Sequence, residues 1–158
     1  MDKAEIAETV AHEIEASRGC VAAAMNNLAG PFGKEYRSCV KEMYFACFHM
    51  ATALLASKGI HAKSRDAIQQ LLALHFVKPA VMPADTAKKY NALMEQRHVA
   101  DYKTFIPIDA SDIAVLKPWV LSFIGQCLYV LRKSMPKLDT AAMKHILGKF
   151  DELPIAMN

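Results

Sequence analysis

The sequence predicts an all-α protein, an up-and-down antiparallel bundle of four to five main helices with a short helix added at the C-terminal end. Three observations predict it. Apolar residues recur at steps of three, four and seven over most of the chain, which marks one buried face per helix. Gly and Pro fall between the periodic stretches, where helices stop. No stretch alternates like a strand, no hairpin turn signal occurs and no internal repeat is present.

Ile6, Val10, Ile14, Val21, Met25 and Leu28 form the first stripe, capped by Asp2 and closed by Gly30-Pro31, which predicts a helix of about 27 residues. A second helix is predicted from about Gly33 to Ser57. It carries two adjacent stripes, Tyr36-Val40-Met43-Cys47-Leu54 and Tyr44-Phe48-Ala51-Leu55. Two stripes mean burial over a broad face, so this helix is expected at the centre. Its small residues Ser38, Cys39, Ala46, Ala51 and Ala53 permit close approach by a neighbour, and Gly59 supplies the stop.

Ser64 and Asp66 open a shorter helix with Ile68, Leu71, Leu72 and Phe76 inward, ended by Pro79 and Pro83. Asp85 or Thr86 is expected to cap the fourth helix, with Tyr90, Leu93, Met94 and Arg97 on one face. Residues 101–110 mix β-branched, aromatic and proline residues and read as an ordered connector. Ser111 is expected to start the fifth helix, with Ile113, Leu116, Val120, Ile124, Leu128 and Leu131 inward. Pro118 should kink that helix or delay its start. Asp139-Thr140 then caps a last helix running to about Phe150. The bundle is expected over residues 1–135, and 136–158 as a helical extension packed on the same domain.

The chain has 158 residues, 53% of them hydrophobic and 22% charged, enough to bury a substantial core without disulfides. A net charge of +3 does not by itself demand a nucleic-acid partner. Cys20, Cys39, Cys47 and Cys127 show neither C-x-x-C nor zinc-site spacing and are expected as reduced, buried thiols, which fits a cytoplasmic location. The first residues are charged and contain no apolar h-region, so no signal peptide is expected. The apolar stretch Trp119–Leu131 is shorter than the roughly 20 residues of a membrane span, so no membrane association is expected.

Several chemical motifs fail on spacing. Gly30-Pro31-Phe32-Gly33-Lys34 lacks the phosphate-loop pattern and follows a helix, so it reads as a turn. Glu95-Gln96-Arg97-His98 has the E-x-x-H spacing of di-iron bundles, but no second such pair exists. No metal, no cofactor and no catalytic residue is expected. Three basic groupings remain. Arg37 and Lys41 lie one turn apart, and their stripe continues into Tyr44 and Phe48. His61, Lys63 and Arg65 gather at a helix N-terminus, read either as a solvated connection or as an anion-binding turn. Arg97 sits on an apolar face, where a charge needs a partner, and Asp101 is one turn away. That pair reads either as a buried ion pair or as part of a ligand site with Tyr102.

The succession Tyr44-Phe45-Ala46-Cys47-Phe48-His49-Met50-Ala51-Thr52-Ala53-Leu54-Leu55, Gly59-Ile60, Lys63-Ser64, His75-Phe76-Val77-Lys78 and Arg97-x-x-x-Asp101-Tyr102 resembles the HEPN superfamily, the helical domain of higher eukaryote and prokaryote nucleotide-binding proteins, over roughly residues 5–133. It is most similar to small stand-alone bacterial and archaeal HEPN proteins. The resemblance implies an up-and-down bundle, a homodimer, and a nucleotide, an RNA or a nucleotidyltransferase partner in a toxin–antitoxin-like pair. Nuclease members carry R-x(4–6)-H, with arginine and histidine from two subunits meeting in a cleft. Here positions 102–104 are Tyr, Lys and Thr, and His98, next to Arg97, should project about 100° away around the helix. Without that histidine the acid/base group is missing.

The expectation is therefore a non-enzymatic binding module. Its cleft residues would be Arg97, Asp101, Tyr102, Tyr44, Phe48, Arg37, Lys41, His61 and Lys63. The alternatives are a ribonuclease with a degenerate motif (Arg97, Asp101, Tyr102) and a purely structural interaction domain.

Overall fold

In the computed structural model, residues 1–31 and 33–155 are described; Phe32 of the first turn and residues 156–158 lie outside the described residues. Six α-helices follow one another: α1 (Lys3–Ala29), α2 (Tyr36–Ser57), α3 (Arg65–Leu72), α4 (Ala84–Tyr102), α5 (Ala110–Ser134) and α6 (Ala141–Glu152). A π-helical turn, Ala73–Val77, prolongs α3. The all-α expectation holds, with no strand among the described residues.

The first helix keeps its expected length of 27 residues and its Asp2 cap, which closes a reciprocal capping box with Glu5. It lies along α2, and small residues let the two approach. Ser17, fully buried in that contact, donates to the Ala46 carbonyl at 2.7 Å. Glu13 and His49 meet at 2.7 Å farther along the same interface. Twelve residues of α2 are buried, and α2 touches α1, α3, α4 and α5. The two-stripe reading thus describes the central helix. Gly59 at φ +74° ends it, in the left-handed region that glycine enters without strain.

Several boundaries differ from the expected ones. α2 begins at Tyr36, not at Gly33. α4 begins directly after Pro83, and Thr86 turns inward to donate to Gln126 Oε1 instead of capping. α4 also continues through Tyr102, so the connector is only 103–109. α5 begins at Ala110 because Asp109, not Ser111, forms the capping box with Asp112. Pro118 neither delays nor ends it.

All six residues predicted inward on α5 are buried, against α2 and α4. With 25 residues and a mean hydropathy of 1.5 over its most apolar 18, α5 is long and apolar enough by composition to cross a membrane. The sequence expectation that no segment reaches that length is corrected on this point: the apolar window extends well before Trp119. Helix α6 packs on α1 and α5 and buries Met143 and Phe150.

All four cysteines are free; Cys39, Cys47 and Cys127 are buried, whereas Cys20 is half-buried. Burial pushes the thiols of Cys20 and Cys39 up to about 12, with Glu42 adding to the effect at both.

Candidate anion-binding cleft

The centre of the site is the Phe45 ring on α2. Arg97 on α4 places its guanidinium carbon 5.6 Å from the centroids of both Phe45 and Tyr44. From the other neighbouring helix, Arg65 at the start of α3 places its own 5.2 Å from Phe45 and 5.9 Å from Phe48. Two cations therefore share one aromatic platform, each attracted by ring faces. Arg65, Asp66, Met94, Glu95, Arg97 and His98 line a cleft of about 310 Å³ beside this platform.

The charges there are unevenly satisfied. Asp101 is held by two cations, with Oδ2 2.8 Å from Arg97 Nε and Oδ1 3.0 Å from Lys41 Nζ. The Arg97 contact is Coulombic rather than a hydrogen bond: its buried Nε–H does not point at an acceptor. Arg65 has no carboxylate within ion-pair distance among the described residues, although Asp66 and Glu95 line the same cleft. Its five N–H donors are open to an oxyanion.

The predicted site residues occupy different positions. Arg97, Asp101 and Lys41 come together, and Tyr44 lies beneath Arg97. Tyr44 is fully buried, and burial raises its hydroxyl ionisation above the ordinary tyrosine range. Phe48 is half-buried at the edge of the platform. Arg37 points elsewhere: it donates to the carbonyls of Ala100 (3.3 Å), Lys103 (2.8 Å) and Ile106 (2.8 Å), tying down the end of α4 and the following loop. Tyr102 is 67% exposed and packs on the His98 ring, 4.9 Å between centroids. His61 and Lys63 are exposed on the loop before α3 and do not line the cleft.

The sequence reading missed three participants. Phe45 lies outside both stripes assigned to α2, about 100° from Tyr44 around the helix, and no periodicity argument singles it out. Arg65 was visible only as the last residue of a basic loop. His98 projects about 100° from Arg97 at the backbone, yet both side chains line one cleft. Among the described residues no group of three or more His, Cys, Asp or Glu gathers as a metal site.

An all-α bundle with an arginine pair on an aromatic platform defines a helical protein with a charged cleft, in which Asp66 and Glu95 stand beside the two arginines. The family model of the HEPN domain matches residues 14–116, most of the chain, and the protein belongs to the HEPN family. It is also similar to a UPF0332 protein of Thermotoga maritima, 26% identical over 83 residues, which cover 52% of this chain and 61% of that relative. The match thus spans about three-fifths of the relative's length.

Proposed function

We propose that this HEPN protein is a non-enzymatic binding module whose cleft takes the phosphate of a nucleotide or of an RNA strand. One observation carries the reading: Arg65 and Arg97 converge on Phe45 from different helices, and among the described residues Arg65 has no carboxylate within ion-pair distance. Two guanidinium groups mounted on an aromatic face suit a phosphate, because each offers paired donors in a rigid fork. Phe48 and Tyr102 would flank a base, and the phosphate would compete with Asp101 for Arg97. A nucleotidyltransferase partner in a toxin–antitoxin-like pair is the biological setting that this reading suits.

The test is titration of N-methylanthraniloyl-ATP and of a labelled 12-mer RNA against the wild type, Arg65→Ala and Arg97→Lys. The reading expects at least a tenfold loss for Arg65→Ala with the fold retained. Binding of both probes unchanged in both variants contradicts it.

His98 on the cleft favours a second reading, a ribonuclease in which a histidine of the same chain supplies the proton transfer. Both Asp101 oxygens are engaged with cations, which leaves that residue a charge partner and not an acid. RNA cleavage abolished by His98→Gln would establish the ribonuclease; a labelled RNA left intact by the wild type would remove it.

A further inference from the structure

Two hollows open side by side where α2 and α5 end, and Ser57 and Ser134, the last residues of those helices, line both. The larger, about 930 Å³, lies between the first turns of α1 (Lys3, Ile6, Ala7) and the connector from α5 to α6 (Met135, Lys137, Leu138). The smaller, about 580 Å³, lies among Lys58, Phe76, Val81, Tyr129 and Lys133. Small-molecule sites span about 300–1,000 Å³, and both hollows fall in that range. Together they make one trough that shares no residue with the arginine cleft. Val81 and Tyr129 stay 48% and 62% exposed on its wall, apolar surface that an occupant would cover.

Two backbone irregularities border the smaller hollow. The π-helical turn Ala73–Val77 brings Phe76 to its wall, and such turns are rare and concentrate at functional sites. Pro79 has no N–H to give the His75 carbonyl one turn back, and Lys58 Nζ supplies a donor instead, at 3.2 Å. That bond and the Phe76 ring, whose centroid is 4.8 Å from Nζ, hold the ammonium beside the hollow. Ala80, also on the wall, has φ +60°. A non-glycine residue is strained there, and such strain persists where the surroundings impose it. The turn it makes sends the amides of Val81 and Met82 to the Phe76 carbonyl, each at 2.9 Å, and so fixes Val81 on the rim.

The walls select the occupant by their chemistry. Lys3, Lys58, Lys133 and Lys137 line the trough, and none lies within ion-pair distance of a carboxylate among the described residues. Asp139 is the one acid on the walls, and its carboxylate accepts from the Ala141 N–H at 3.0 Å. Lys133 Nζ lies 4.4 Å from the Tyr129 ring centroid. Both serine hydroxyls donate into their own helices, to the carbonyls of Leu54 and Leu131. The side-chain donors that remain are the four ammoniums and the Tyr129 hydroxyl; Ile6, Ala7, Phe76 and Val81 offer only apolar surface. An anionic head therefore finds partners, and a polar body finds none. A peptide would bring an N–H and a C=O per residue without matching groups on the walls, and a nucleotide would bring sugar hydroxyls and base edges. A hydrocarbon chain ending in a carboxylate asks for no more than apolar wall and a cation at one end.

We propose that this trough binds a long-chain monocarboxylate, its head between Lys58 and Lys133 and its chain laid towards Ile6 and Ala7. Lys3 and Lys137 cover the chain with their methylene stems and keep their ammoniums in water. The site is independent of what the arginine cleft binds.

The test is titration of the full chain with cis-parinaric acid, a fluorescent fatty acid, followed by displacement with dodecanoate and with 1-dodecanol. The wild type should saturate with a Kd of about 1–100 μM, as suits a half-open site. Dodecanoate should displace the probe, and the uncharged alcohol should do so far more weakly. Lys58→Gln with Lys133→Gln should weaken binding about tenfold, the effect of two partly exposed charges; if that variant melts lower than wild type, Lys133→Glu alone replaces it. Ala7→Trp, at an exposed position on the wall, should fill the larger hollow and lose the probe while melting as the wild type does, with Ala11→Trp as its substitute if it does not. No binding by the wild type, equal affinity in the folded lysine and tryptophan variants, or equal displacement by the alcohol overturns the proposal. Co-sedimentation with phosphatidylglycerol vesicles by a chain that ignores the free fatty acid also overturns it, in favour of a bilayer surface.

Discussion

Replacing Asp101 with asparagine tests the electrostatics of the cleft. The substitution keeps the shape of the side chain and removes the charge that holds Arg97 and Lys41. Exposed ion pairs contribute about 0–1 kcal/mol, and taking one partner from a buried pair costs about 3–5 kcal/mol. Arg97 and Asp101 are 16% and 18% exposed, and the Arg97 Nε–H is misaligned. Their contact therefore falls low between those limits, at about 1–1.5 kcal/mol. Lys41, 39% exposed, adds only about 0.5 kcal/mol after solvent screening. The expected loss is about 2 kcal/mol, a fall in Tm of roughly 4–8 °C for a chain of this size. Urea denaturation measures it, and a double-mutant cycle with Lys41→Met separates the two contacts. The same variant frees Arg97, so it should bind N-methylanthraniloyl-ATP more tightly than the wild type while being less stable. A stability change within 0.5 kcal/mol, or weaker nucleotide binding in a folded Asp101→Asn, would refute the reasoning.

Other perturbations follow from the same geometry. Arg37→Gln removes three bonds to the carbonyls of Ala100, Lys103 and Ile106, so amide exchange in residues 103–109 should accelerate at least tenfold; unaltered exchange would contradict its clamping role. The hydroxyls of Tyr44 and Tyr90 are both buried, and neither makes a hydrogen bond. They are near enough to influence each other's ionisation, and burial raises that of Tyr90 strongly. Tyr90→Phe should therefore leave stability unchanged or raise it by about 1 kcal/mol, and a loss of that size would mean the two hydroxyls are bonded. Cys39 ionises near 12 when folded against an ordinary 9.0. Folding stability from it is present below pH 9 and declines as pH rises from there towards 12, because only the unfolded thiol releases its proton. The urea midpoint should fall over that range and fall less in Cys39→Ala; equal pH profiles would count against the burial effect.

Most of the fold was legible because helix stripes, caps and stops are local signals. Asp2, Gly59 and the inward series Ile113 to Leu131 all behave as their spacing implies. Legibility failed where two local groups competed. Asp109 with Asp112 outcompeted Ser111 as a cap, and burial against Gln126 drew Thr86 away from capping. At the site, the Arg97–Asp101 pair could be read because i,i+4 residues on one helix must meet. Contacts between helices could not. Nothing in the sequence shows that Arg65 on α3 and Arg97 on α4 reach the same ring, or that Arg37 turns back onto the end of α4. Likewise a helical angle separates His98 from Arg97 at the backbone, yet both line the same cleft.

The most direct test of the central claim is an NMR titration of the 15N-labelled protein with ADP, following the Nε–Hε signals of its arginines. If the cleft holds a phosphate, those of Arg65 and Arg97 move together along one binding curve while that of Arg37, already committed to three carbonyls, stays in place. ADP binding that leaves both Arg65 and Arg97 unmoved would contradict the assignment of this cleft.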